Sequence, residues 1–248
     1  VTGTGNVVGG NVTTSGLISA TGNITGGNIT APIRPAAGTV TVAPVVLTSG
    51  TSLTTAAAGA IEYDGSVFYA TTVASQRGVV PSEIFVALSA DYTGSDVNTA
   101  QKVFNATTNG AVTVSGSTAY MLEAQYYITR AAGTTGHTTS VLFGGTATYT
   151  SITYRAEATT STGVALTAPS IIYGTAATAL AVTGASTSAT ENLVITLNGI
   201  VRVNGAGTLI PQFQYSAAPG GAPTILKNSY FKLVPIGTSS VTYVGNWS

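Results

Sequence analysis

The sequence contains no cysteine and a single histidine in 248 residues. Zero cysteines exclude disulfide frameworks, thiolate metal sites and cysteine nucleophiles together, leaving burial, hydrogen bonding and assembly to stabilise the chain. Charge is scarce as well. Charged residues make up 6% of the chain, eight basic against eight acidic, for a formal net charge of zero, where ordinary globular chains carry roughly 25%. With no basic field to neutralise a phosphate backbone or an anionic bilayer, nucleic acid and membrane surfaces are poor partners. Nor does any apolar run approach the roughly 18 residues of a bilayer-spanning helix; the best stretch, residues 193–203, is broken by Asn198 and Gly199. The chain opens at Val1 with no charged region followed by an apolar one, so no signal peptide is visible and a longer polypeptide is expected to precede it.

What the chain has in quantity is the material of strands. Hydrophobic residues make up 44%, and threonine, valine, isoleucine and twelve tyrosines fill runs punctuated by thirty glycines. Disordered chains are depleted in β-branched and aromatic residues, which suit a pleated, half-buried surface, so an all-β fold is expected. A surface poor in charge also lacks the repulsion and hydration that keep monomers apart, which predicts an obligate oligomer.

The first thirty residues repeat. TGNVVGGNVT at residues 4–13 recurs as TGNITGGNIT at residues 21–30, seventeen residues on. One apolar side chain every five or six positions, Val7, Val12, Leu17 or Ile18, Ile24 and Ile29, cannot build a core within one chain, but several chains wound about a shared axis could bury them. Gly-Asn pairs supply tight turns, so the economical picture is a fibrous β-stem of three chains whose core is Val7, Val12, Leu17, Ile24 and Ile29. A flexible Gly/Thr/Asn linker is the alternative that composition permits, although a linker has no use for phased valine and isoleucine. Five Asn-x-Ser/Thr triplets, at Asn11, Asn23, Asn28, Asn105 and Asn246, fit chance in a chain so rich in asparagine and threonine.

Pro32 and Pro35 stop regular pairing and mark a boundary. Beyond them residues 39–50 read as a strand interrupted by Pro44. Residues 60–71, AIEYDGSVFYAT, read as a hairpin turning at Asp64-Gly65, a turn that gives the aspartate a conformational rather than a catalytic reason to sit near Glu62. This segment, residues 31–80, is expected to be a connector with its exit at Arg77-Gly78 and Pro81.

From Pro81 to Ser248 short strand-like runs alternate with Gly, Ser, Thr and Asn clusters, the spacing of an antiparallel sandwich or jelly roll. In residues 119–130, Tyr120, Leu122, Ala124, Tyr126 and Ile128 share one face and Met121, Glu123, Gln125, Tyr127 and Thr129 the other. Asn198-Gly199 and Asn204-Gly205 lie too close to close two ordinary hairpins. One long strand therefore runs through Gly199, where another backbone approaches closely or a bulge forms, and a turn follows at Asn204-Gly205; a close approach at a threefold axis would suit Gly199. Trp247 is expected to be buried in a final strand.

Candidate chemistry is thin. His137, amid Gly, Thr and Ser, reads as a solvent-facing or interface residue in a loop rather than part of a triad. Asp91 and Asp96 in ADYTGSD could bracket a sugar or a cation, but read first as a turn in which aspartate caps its own backbone. Asp91, Tyr92, Asp96 and His137 are the candidate receptor-contact residues; no catalytic residue, metal ligand or cofactor is expected.

The run AIEYDGSVFYAT, then RGVVPSEIF, LFGGTATYTSITYRAEA, RVNGAGTLIPQFQYSAAPGGAPTILKNSYFKLVPIG and VGNWS together resemble the C-terminal region of tailed-bacteriophage virion fibre proteins, over residues 39–248. The resemblance implies a homotrimeric virion component with a repetitive stem and a distal jelly-roll knob, on the outside of an extracellular particle. The chain is then expected to divide into an intertwined stem at 1–30, a connector at 31–80 and a knob at 81–248. The knob would adhere to a host-surface glycan or protein, and other virion proteins would join through the part preceding Val1. The alternative is a purely structural fibre, connector or capsid decoration without receptor binding; a glycan-cleaving spike, which needs two placed carboxylates, is the remote third.

Overall fold

A computed structural model describes residues 35–161 and 169–240. Val7, Val12, Leu17, Ile24 and Ile29, the expected stem core, and Trp247 lie outside the described residues. The chain divides into two compact units, one up to Val46 and one from Leu47. The described part of the first contains no strand. The strand expected from residue 39 does not form. Thr39 Oγ1 instead accepts the Val42 N–H at 3.1 Å, and the Thr39 N–H donates to the Val42 carbonyl at 2.9 Å. This local turn competes with any ladder, and Pro44 removes a donor from the same stretch.

The second unit begins with a three-stranded antiparallel sheet, β1 (Ile61–Tyr63), β2 (Phe68–Val73) and β3 (Gln76–Val80), in the order β1-β2-β3. Its hairpin turns at Asp64-Gly65 as expected. Gly65 has φ 101°, a left-handed conformation that costs glycine nothing, and Asp64 Oδ1 accepts the N–H groups of Ser66 and Val67, each at 2.8 Å. Asp64 Oδ2 accepts the Tyr69 hydroxyl at 2.9 Å; burial first, and then this bond, push the Tyr69 phenol up to about 12. Arg77-Gly78, expected with Pro81 to mark a connector's exit, form no turn. Both residues sit within β3, and Arg77 Nε donates to Glu62 Oε2 at 2.8 Å across the sheet.

The remaining strands are β4 (Ile84–Ala87), β5 (Tyr92–Thr93), β6 (Gln101–Lys102), β7 (Val112–Val114), β8 (Thr118–Arg130), β9 (Thr139–Gly144) and β10 (Thr148–Ser161). After them come β11 (Ser170–Gly174), β12 (Leu180–Ala181), β13 (Glu191–Gly205), β14 (Gly207–Tyr215), β15 (Thr224–Ile225) and β16 (Tyr230–Thr238). No helix occurs among the described residues. One antiparallel sheet runs β11-β10-β13-β8, and the far edge of β8 is shared by β15 with β5 and by β16 with β4. The other runs β12-β9-β14-β6, with β7 also on β14. The two sheets share one core, as in a β-sandwich. Tyr120, Leu122, Ala124, Tyr126 and Ile128 of β8 are all buried in it, as their alternation predicts. They meet Val141, Phe143, Leu209, Phe213 and Tyr215 of the opposite sheet in a single cluster. Each large side chain so buried contributes roughly 1.5–3 kcal/mol.

Strand β13 runs unbroken through Asn198-Gly199, pairing with β8 from Glu191↔Arg130 to Val203↔Thr118. The close backbone approach expected at Gly199 is present, and it is to the same chain. A Cβ there would lie 2.3 Å from the Thr153 carbonyl oxygen and 2.6 Å from Tyr154 Cα. Tyr154 is paired with glycine on both sides, Gly199 on β13 and Gly174 on β11. Its ring covers Gly174, where a Cβ would come within 2.5 Å of Tyr154 Cζ. Asn204-Gly205 does not form a turn. Gly205 still pairs with Thr148 of β10, and after Ala206 the chain passes into β14 of the opposite sheet. Pro211 is tolerated inside β14 because its carbonyl, accepting from Val103 at 3.0 Å, points to the side where the ladder passes from β7 to β6. A missing N–H there breaks no pair.

The outer face of the larger sheet has no cover in the described chain. Met121 and Ile200 are register partners on it and 46% and 40% exposed, and Phe85 on β4, level with Lys232 and Glu123, is exposed as well. The charges between are paired, Lys232 with Glu123 at 2.7 Å and Arg155 with Glu157 at 2.5 Å.

Candidate functional site

Antiparallel order brings five strand ends together at one end of the sandwich: Arg130 ending β8, Thr139 opening β9, Ser161 ending β10, Glu191 opening β13 and Tyr215 ending β14. The chain enters and leaves the larger sheet toward the other end. Ile84, opening β4, lies level with Leu233 and Leu122, and β16 finishes with Thr238 opposite Thr118.

By parity Arg130 and Glu191 both fall on the core-facing side of their strands, where a charge requires a partner. They are register neighbours, and Arg130 donates to Glu191 Oε2 at 2.9 Å. The Arg130 side chain is 1% exposed, and its guanidinium also donates to the carbonyls of Ala132, Gly133 and Ser188. Burial alone would raise the Glu191 carboxyl. The Ser186 hydroxyl, Arg130 and His137 outweigh it, holding the group below its ordinary value.

His137 corrects the expectation of a solvent-facing loop residue. It is 2% exposed, bridged to Ser186 through the backbone, and its ring packs edge-on against Tyr215 with centroids 5.0 Å apart. Nδ1 lies 2.8 Å from the Thr135 carbonyl oxygen and Nε2 3.1 Å from Glu191 Oε2. Both ring nitrogens are thus engaged with oxygen acceptors, and neither is left to take a proton from a hydroxyl. A receptor does not reach this side chain; it braces the loop from beneath.

The acids of the other candidate loop gather at the same end. Asp91 Oδ1 accepts the Lys227 N–H and Asp96 Oδ1 the Gly220 N–H, each at 2.9 Å. The expectation that they cap their own turn is therefore replaced: both fasten a segment more than a hundred residues away. Tyr92 sits in the short strand β5, pairs with Ile225, and carries Lys102 over its ring at 5.8 Å. Asp91 and Asp96 keep exposed surface, Tyr92 is half-buried, and His137 contributes none.

A cleft of about 230 Å³ opens beside the Arg130–Glu191–His137 cluster, lined by the hydroxyl residues Thr139, Thr160, Ser161, Thr183 and Ser186 and by Glu191. Leu193 and Ala185 supply its apolar part. Among the described residues no group of three or more His, Cys, Asp or Glu is placed to hold a metal ion, and no helix is long and apolar enough to cross a membrane.

Comparison with protein families, curated proteins and solved structures gave no match.

Sequence reasoning missed Arg130, Glu191 and the cleft. The signal was present in part: a period-two strand that closes on a charge of core parity announces a buried ion pair, and TAYMLEAQYYITR closes on Arg130 in that way. Nothing local names its partner.

Proposed function

We propose that this chain is a homotrimeric fibre protein of a tailed-bacteriophage virion, with a repetitive stem at 1–30 and a jelly-roll knob that adheres to the host cell surface. The observation that carries the reading is polarity. The chain enters and leaves the larger sheet toward one end, while Asp91, Tyr92 and Asp96 and the hydroxyl-lined cleft lie toward the other. A knob carried on a stem needs that arrangement, with attachment at one end and the binding surface at the other. The uncovered outer sheet face, with Phe85, Met121 and Ile200, suits burial against other copies in a chain whose surface is so poor in charge. Trimerisation sets three modest sites on one rigid body, and multivalency of that kind raises avidity by roughly 10²–10⁴ without a strong single contact.

The test joins native mass to adsorption. The full 248-residue chain is expected near three times 24.7 kDa and to adsorb to host envelopes above a denatured control. A monomer, or a trimer that adsorbs no better than the control, refutes the proposal.

A further inference from the structure

The geometry points to the hydroxyl-lined cleft beside Glu191 as a site for one neutral sugar ring. The inference rests on the adhesive reading for its biological meaning, but its chemistry is that of the site. Five hydroxyl residues and Glu191 line it; hydroxyls both donate and accept, which is what a polyol demands of its partners. Thr139 and Ser161 are each 3% exposed, held by the sandwich rather than by a mobile surface. Thr183 is fixed through its Oγ1, which accepts the Thr139 N–H at 2.8 Å.

Charge narrows the ligand class. The Glu191 carboxylate is already met by the Arg130 guanidinium at 2.9 Å, so it calls for no cation. Glu191 and three carbonyls take up the terminal nitrogens of the guanidinium, its Nε is buried and Arg130 is not among the residues lining the cleft, so an anion finds no positive charge to join. A carboxylate has about four acceptor positions. The Ser186 hydroxyl, Arg130 and His137 occupy three, and the group retains 16% exposure with which to accept from a ligand hydroxyl. Leu193 and Ala185 face the cleft as the small apolar surface that the C–H side of a pyranose covers. Size fits the same answer: about 230 Å³ falls below the roughly 300–1,000 Å³ of drug-sized sites, so one ring enters rather than an extended chain. A ligand of about a dozen heavy atoms at ordinary ligand efficiency binds with Kd on the order of 1 mM, an affinity that adhesion recovers through three copies.

The experiment is ligand-observed saturation-transfer NMR on the full chain with methyl α-glucopyranoside, methyl β-galactopyranoside and methyl N-acetyl-β-glucosaminide, and with glucuronate as the anionic comparison. At least one neutral glycoside is expected to receive saturation and glucuronate markedly less. Two variants block the cleft without disturbing the core. Ala185 is exposed, and a Cβ at Gly184 meets nothing within 4 Å, so Ala185→Trp and Gly184→Leu are expected to keep the native mass and circular dichroism spectrum. Each is expected to weaken glycoside binding at least about tenfold. Absence of a signal from every neutral glycoside overturns the proposal, as does a signal that survives in both variants or one that is strongest for glucuronate. Envelope adsorption separates this failure from that of the adhesive reading. If both variants adsorb as wild type and lose adsorption when the envelopes are treated with protease rather than periodate, the receptor is a protein bound elsewhere, and the cleft falls while adhesion stands. If wild type binds glycoside in the cleft but adsorbs to no envelope, the site stands and adhesion falls.

Discussion

Replacing Glu191 with glutamine tests the ion pair that closes the loop end of the sandwich. The Arg130 side chain is 1% exposed and that of Glu191 16%, so the substitution leaves a guanidinium deep in the protein without its counter-charge. Removing one partner of a buried pair costs about 3–5 kcal/mol; the partial exposure of Glu191 argues for the lower end, about 3 kcal/mol. In a domain of this size that is a drop in Tm of roughly 6–12 °C. Urea or thermal unfolding at pH 7 and fixed protein concentration measures it, concentration being held because an oligomer's stability depends on it. The pH dependence gives a second, independent reading. The folded Glu191 carboxyl lies below its ordinary value of 4.5, so its stabilisation is fully present above that value and is lost as pH falls through the lower folded one. The gap between wild type and Glu191→Gln is therefore expected to stay constant from pH 7 to about pH 5 and to narrow below about pH 4. A loss under about 1 kcal/mol at pH 7 would refute the reasoning. It would mean that the carbonyls of Ala132, Gly133 and Ser188 satisfy Arg130 by themselves.

Gly199→Ala sets a methyl group 2.3 Å from the Thr153 carbonyl oxygen; the backbone must move, and a loss of roughly 1–3 kcal/mol is expected in the same unfolding assay. Asp64→Ala removes the acceptor of two turn N–H groups and of the Tyr69 hydroxyl, so spectrophotometric titration should find the Tyr69 phenol ionising below its wild-type value of about 12. Tyr120 and Tyr126 make a pair with opposite outcomes. Tyr120 Oη accepts the Ser115 N–H at 2.8 Å, so Tyr120→Phe costs about 1 kcal/mol. Tyr126 Oη is buried and meets no hydrogen-bond partner among the described residues, so Tyr126→Phe is expected to be neutral or mildly stabilising by unfolding.

Some of this protein was determined by the sequence alone, because the relevant physics is local. Period-two alternation in residues 119–130 places Tyr120, Leu122, Ala124, Tyr126 and Ile128 on one face wherever the strand docks, and that face is the buried one. Asp64-Gly65 makes its hairpin from a carboxylate and a residue free to take positive φ, both within four positions of each other. The continuity of β13 through Gly199 follows from a parity that the glycine does not break.

Other features belong to the tertiary structure, because their partners are distant in sequence. Residues 39–50 have strand composition, yet among the described residues they form no ladder, and local hydrogen bonds hold Thr39 and Val42. Asn204-Gly205 has turn composition, yet the pairing of Gly205 with Thr148 keeps it extended until the chain changes sheets. Gly, Thr and Ser around His137 signal an exposed loop; the ring is buried by a carboxylate 54 residues away. Asp91 and Asp96 signal a self-capped turn, yet bond backbone 136 and 124 residues on. Alternation along a strand states which face is apolar. Which charges that face then encloses, and which hydroxyl residues meet around a cleft, depends on the order in which the strands pair, and only the folded chain decides that.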